Sequence, residues 1–219
     1  MNFFDVPYIN GNSIFIVPAN ASYNSEILDD NINTLKKLYQ FIEVGIAGKS
    51  VLNTDIPYIK IGTGSKNVFY SASIHANEWI TSIVLMKFLA DYCYCYKNNL
   101  TIFDYPASEL YNNCTLYIMP MVNPDGVNLV TGKISPSSSA YISAQNIASM
   151  YPSVPFTSGW KANIRGVDLK NFQPFCKALH CLIYTALLVF PFSFIISSIL
   201  INSSKFSVIE FNFEKLKYI

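Results

Sequence analysis

The stretch NVFYSASIHANEWITSIVLMKFLAD, residues 67–91, changes its hydrophobic period in the middle. Up to Ile74 it is a run of apolar, aromatic and small residues, which predicts a buried strand over 67–74 ending at His75. From Glu78 to about Tyr96 the apolar residues recur at helical spacing, with Trp79, Ile83, Met86 and Leu89 or Ala90 on one face. A second apolar run, CTLYIMPMVN at 114–123, predicts another buried strand. It runs into NPDG (123–126), read as a turn because Pro and Gly end regular structure. Strand, helix and strand in this order predict an α/β architecture with a parallel or mixed sheet and helices on its faces.

Upstream, SEILDDNINTLKKLYQF (25–41) predicts a helix with Ser25 as its cap, since Ile27, Leu28, Ile32, Leu35, Leu38, Phe41 and Ile42 follow its period. FIEVGIAG (41–48) and DIPYIKIGTG (55–64) read as strands, and SIFIVPAN (13–20) as a short extended segment stopped by Pro18. Downstream of residue 126, a loop rich in Ser and Tyr extends to about residue 158 and leads into GWKANIRGVDL (159–169).

A length of 219 residues suits one sizeable α/β domain. The net charge of +1 builds no field that would draw nucleic acid, and no nucleic-acid partner is expected. Charged residues make up 13% of the chain, against ~25% in ordinary globular proteins. Past residue 170 the character of the chain changes. There the run ALHCLIYTALLVFPFSFIISSILI (178–201) lacks any Asp, Glu, Lys or Arg and is a candidate membrane-spanning helix. The start, MNFFDVPYINGNS, has no basic region followed by an apolar core, so no secretory signal is read. That places the chain in the cytoplasm or at a membrane through 178–201. Five cysteines show no paired metal spacing: Cys93 and Cys95 diverge on a helix, and Cys176, His180 and Cys181 sit in an apolar segment.

His75 and Glu78 stand three residues apart where the strand gives way to the helix, so their side chains share a face. A zinc ion takes an imidazole nitrogen at ~2.0–2.1 Å and a carboxylate oxygen at ~2.0–2.2 Å, and completes a catalytic site with one more protein ligand and water. In open α/β sheets, ligands gather outside the carboxyl ends of the strands, where His75 is predicted to lie. The spacing alone is equally that of a His and Glu at an ordinary helix start.

HANEW after one strand, MVNPDG after a second, and GWKAN followed by RGVDL form an ordered set over about residues 30–169. This set resembles the zinc carboxypeptidase family, most nearly its bacterial branch acting on γ-D-glutamyl-diamino acid peptides of the cell wall. The resemblance implies an incomplete three-layer mixed or parallel sheet of the zinc carboxypeptidase type over 1–170. A divergent apolar, helical C-terminal segment then follows over 171–219. It implies Zn2+ as cofactor, with His75 and Glu78 as the first two ligands and Asp168 hydrogen-bonding the back of His75. It implies a structural role for Asn123 to Gly126, and it makes Lys161 or Arg165 the cationic residue that polarises the scissile carbonyl and stabilises the oxyanion. A peptide substrate is implied, such as a peptidoglycan stem peptide.

Beyond residue 169 the chain departs from that pattern. Lys170 stands where the family has a substrate-binding asparagine, Asn171 comes one place late, and no arginine follows. The third ligand would have to be His180, which lies inside the apolar run, and Glu210 and Glu214 match no family glutamate. A change of reading frame near residue 170 is the expected origin of the break. Two readings follow: a zinc-dependent hydrolase of doubtful competence as this chain stands, or an inactive, membrane-associated or fragmentary relative with no enzymatic role.

Overall fold

Two short antiparallel strands, β1 (Tyr8–Ile9) and β2 (Asn12–Ser13), precede helix α1 (Ser25–Leu38) in the computed structural model of the chain. The structure describes residues 8–9, 12–13, 17–18 and 22–169. Asn171, His180 and the apolar segment 178–201 therefore lie outside the described residues. Among the described residues, no helix is long and apolar enough to cross a membrane.

Helix α1 buries Leu28, Ile32 and Leu35, one stripe of its period. Its cap is Asn24 rather than Ser25: the Asn24 side chain accepts the Ile27 N–H at 3.1 Å. Ser25 instead exchanges two hydrogen bonds with the Asn128 amide, at 3.1 and 2.9 Å, which ties the helix start to a segment about a hundred residues away. The helix ends at Leu38, because Tyr39 turns extended, and Phe41 and Ile42 lead into the sheet instead of prolonging the helix.

The sheet has four strands: β3 (Glu43–Lys49), β4 (Asp55–Ile61), β5 (Lys66–Ser71) and, later in the chain, a fourth that follows a helical connection. That connection comprises a single 3-10 turn (Ala76–Glu78), α2 (Ile80–Lys97), a small hairpin of β6 (Thr101–Ile102) and β7 (Tyr105–Pro106), and α3 (Ala107–Asn113). It delivers β8 (Cys114–Met119) between β4 and β5. β8 runs parallel to β5 and antiparallel to β4, and β4 runs antiparallel to β3, so the sheet is mixed. The parallel pairing expected from strand, helix, strand is the β5–β8 pair.

On one face, Ile59, Ile61 and Ile118 meet Leu28, Ile32 and Leu35 of α1 and Ile83, Met86, Phe88, Leu89 and Tyr92 of α2 in one core. Leu35, Met86 and Leu89 are fully buried, and each such side chain contributes about 2 kcal/mol by leaving water. Ile56 and Met119, of opposite parity along their strands, point to the other face, where they pack with Ile74, Val122 and Leu169. A third cluster joins Ala76, Leu129, Ala144, Trp160 and Ile164.

Two stretches read as irregular are helical. NPDG opens α4 (Pro124–Val130), and the Ser/Tyr-rich stretch contains α5 (Ser139–Ala148), capped by the Ser138 hydroxyl. Asn123 caps α4 by accepting the Gly126 N–H, and Pro124 occupies its first position, where a missing N–H costs nothing.

Candidate metal centre

Strand β5 ends at Ser71, paired with Met119 of β8, short of the predicted end at His75. Pairing persists beyond the regular strands: Ala72 N–H donates to the Met119 carbonyl, Val122 N–H to Ala72 and Asn123 N–H to Ser73, each at 3.0 Å. The two loops that leave the carboxyl ends of the parallel pair therefore run side by side. Ser73 adopts φ of 48° and turns the chain so that Ile74 is buried and His75 opens the 3-10 turn.

The first turn of α2 is laced to these loops. Thr81 accepts the Ser73 N–H at 2.9 Å and donates to the Glu78 carbonyl at 2.7 Å. The Ser73 and Ser82 hydroxyls meet at 2.6 Å, and Ser82 donates to the Pro120 carbonyl. These hydrogen bonds fix the angle at which the turn presents its side chains.

His75 is 6% exposed, and its ring lies between two carboxylates. Nδ1 stands 2.9 Å from Glu78 Oε1, and Nε2 stands 3.5 Å from Asp168 Oδ1. A neutral imidazole has one N–H and one lone pair, so it satisfies one carboxylate and turns its lone pair toward the other. With the N–H on Nε2 facing Asp168, the Nδ1 lone pair and the Glu78 oxygen face each other across a gap that calls for a positive charge. Two donors each ~2.0–2.1 Å from a tetrahedral zinc sit about 3.3 Å apart, so an opening of about 0.4 Å accommodates the ion. The two side chains fit zinc as an imidazole and carboxylate pair. Among the described residues, however, no set of three His, Cys, Asp or Glu side chains is gathered to hold a metal.

Asp168 arrives on the loop 160–168, whose shape is set by Asn163. The Asn163 side-chain oxygen accepts the N–H groups of Arg165 and Val167 at 2.9 and 3.1 Å, and its carbonyl accepts the Trp160 indole N–H at 3.2 Å. Gly166 supplies the φ of 79° that closes this loop. Lys161 and Arg165 both carry exposed side chains on it. The structure thus brings together His75, Glu78 and Asp168 and places Lys161 and Arg165, the two candidate cations, on the loop that carries Asp168. His180 and Asn171 fall outside the described residues.

Sequence reasoning treated Asn123 only as part of a turn and passed over Asn163. Asn123 Nδ2 donates to the Ile74 carbonyl at 3.3 Å and to the Ala162 carbonyl at 3.1 Å, touching both loops of the site. An Asn followed by Pro at the first helical position is a start signal that reveals the cap. Nothing in the local spelling reveals the bridge.

A model of the zinc carboxypeptidase family matches residues 29–174. The chain is 43% identical over 159 residues to γ-D-glutamyl-L-diamino acid endopeptidase 1 of Lysinibacillus sphaericus, covering 73% of this chain and 39% of that protein. It is 35% identical over 85 residues to metallocarboxypeptidase A of Trichophyton rubrum, covering 36% of this chain and 19% of that one. Among solved structures, thrombin-activatable fibrinolysis inhibitor aligns with a TM-score of 0.48 at 18% identity, over 64% of this chain and 29% of that one. The chain spans well under half the length of the curated relatives it matches. With a family model matched across residues 29–174 and the same ordered motifs meeting at one imidazole, this chain belongs to the zinc carboxypeptidase family.

Proposed function

We propose that the His75–Glu78 turn is the first half of the zinc centre of a peptidase that hydrolyses γ-D-glutamyl-diamino acid peptides of the peptidoglycan stem type. The observation that carries the reading is the His75 ring bracketed by Glu78 on Nδ1 and Asp168 on Nε2. With the metal bound, Asp168 would accept the Nε2 proton, fixing the tautomer and leaving the Nδ1 lone pair for the ion. Glu78 supplies the anionic oxygen beside it. Bound zinc would contribute Lewis acidity at a peptide carbonyl and acidify water. Arg165 or Lys161, on the loop next to the turn, would face the oxygen on which negative charge develops. The substrate class rests on the 43%-identical endopeptidase, and Asn171 would contact the substrate.

The departure from the family pattern at Lys170, with Asn171 one place late and no arginine after it, favours a second reading, a relative that holds zinc weakly and does not hydrolyse. Zinc content of the full chain after equilibrium dialysis, read beside cleavage of a γ-D-glutamyl-diaminopimelyl peptide, separates the two. About one zinc per chain, lost in His75→Ala and Glu78→Ala, together with cleavage, supports the peptidase. Zinc without cleavage supports the second reading. A wild-type chain that takes up no zinc rejects both.

A further inference from the structure

We propose that Asn123 is a positioning residue that locks the ligand-bearing turn to the loop carrying Asp168, Lys161 and Arg165; the proposal rests on reading His75 and Glu78 as ligands. The Asn123 side chain is 2% exposed and makes three hydrogen bonds. Its oxygen accepts the Gly126 N–H at 3.1 Å, while its nitrogen donates to the carbonyl of Ile74, the residue before His75, and to the carbonyl of Ala162, the residue after Lys161. The orientation of the amide is settled by these partners, because only the NH2 end can serve two carbonyls.

The two loops meet again close by, where the Ala76 N–H donates to the Lys161 carbonyl at 3.0 Å. Ala76 is fully buried among Leu129, Ala144, Trp160 and Ile164, so the turn has an apolar seat on the same side as the hydrogen bonds. Gly126 leaves room for the junction: a Cβ there would lie 2.6 Å from the Asn123 amide nitrogen and 2.8 Å from the Ala162 carbonyl oxygen. Asn123, Gly126 and the Ala76–Lys161 bond thus form one junction. The distance from His75 Nε2 to Asp168, and the placement of both candidate cations relative to the turn, depend on it.

Asn123→Ser isolates the bridge from the cap. Serine is a good N-cap and can still accept the Gly126 N–H, but it is too short to reach both carbonyls. Thr115→Val, which removes the hydroxyl that donates to the Gly64 carbonyl at the amino end of β8, away from the junction, is the control for a general loss of stability. In the full-length chain, hydrogen exchange of the Ala76 amide should accelerate at least about tenfold in Asn123→Ser, with the amides of β4 and β8 unchanged, and zinc affinity should fall about tenfold. Thr115→Val should move neither. If Asn123→Ser does not yield folded chain, Asn123→Thr keeps a capping hydroxyl, is likewise too short to reach both carbonyls, and carries the same readouts.

Unchanged Ala76 exchange in the bridge variant overturns the proposal, and so does a loss of zinc affinity no larger than that of Thr115→Val. If the wild-type chain takes up no zinc, the ligand reading fails. The positioning role is then decided by the Ala76 amide alone, which reports on the junction without any metal.

Discussion

Asp125 is 2% exposed and anchors the tip of the β3–β4 hairpin, more than seventy residues upstream. Oδ1 accepts the Ser50 and Thr54 hydroxyls at 2.7 and 3.1 Å, and Oδ2 accepts the Leu52 N–H at 2.8 Å. Hydrogen bonds to an ionised acceptor contribute about 1.5–3 kcal/mol each. Ser50 and Thr54 are half-buried and Leu52 is 44% exposed, so water partly replaces the lost acceptor, and the carboxylate's own desolvation offsets more. About 1 kcal/mol for each bond, with about 0.5 kcal/mol for a carboxylate in the first turn of α4, gives a cost of about 3–4 kcal/mol for Asp125→Ala. Asp125→Asn should cost only about 1–1.5 kcal/mol: its carbonyl keeps the Leu52 N–H, and its NH2 can donate to two hydroxyls that rotate to accept. Urea unfolding of the full chain, followed by the fluorescence of Trp79 and Trp160, measures both. An alanine variant within about 1 kcal/mol of wild type, or an asparagine variant as damaging as alanine, refutes the reasoning.

Gly126→Ala should cost about 2 kcal/mol and weaken zinc binding as well, since the added methyl forces the Asn123 amide or the Ala162 carbonyl aside; a thermal melt with a zinc titration checks it, and an unchanged melt refutes the crowding. Burial pushes the phenols of Tyr39 and Tyr70 from 10.0 up to about 12. The folded chain holds these protons more tightly than the unfolded chain. Stability is therefore full below pH 10 and falls as pH rises towards 12, and Tyr39→Phe should flatten the decline. A urea midpoint that stays level across that interval rejects the assignment.

The parts of the fold that announce themselves in the sequence are those governed by short-range period. The α1 stripe at Leu28, Ile32 and Leu35, the α2 face at Ile83, Met86 and Leu89, and the strands around Ile59 and Ile118 all lie where apolar spacing places them. Their ends were harder to read. Asn24 takes the cap expected of Ser25, because Ser25 is drawn off by Asn128, a residue with no sequence relation to it. Pro124 and Gly126 read as turn residues because they usually are. Here Pro sits at the one helical position that suits it, and Gly is required by the approach of the Ala162 carbonyl. Helix α5 hid in a polar composition, although Ser138 followed by Ala140, Ala144 and Ile147 holds both a cap and a stripe. The antiparallel pairing of β4 with β8 follows from no local signal, since strand order is a property of the assembled sheet.

The candidate site divides along the same line. His75 and Glu78 lie three residues apart, so their meeting is a local event that spelling and helix geometry can forecast. Asp168 is ninety residues further on, and only its place in an ordered motif tied it to His75; the 3.5 Å approach comes from the loop that Asn163 shapes. A metal site tolerates little error in such an approach, because the imidazole must present one particular nitrogen along one particular direction. The polar groups that secure this, Thr81, Ser82 and Asn123, are small and common, and each acts on a backbone carbonyl or N–H distant in sequence or hidden by the turn. Side chains that bind backbone atoms carry no complementary partner residue to search for. The chemistry proposed for this turn thus rests on three recognisable residues, and its geometry on residues whose composition alone would pass for ordinary loop.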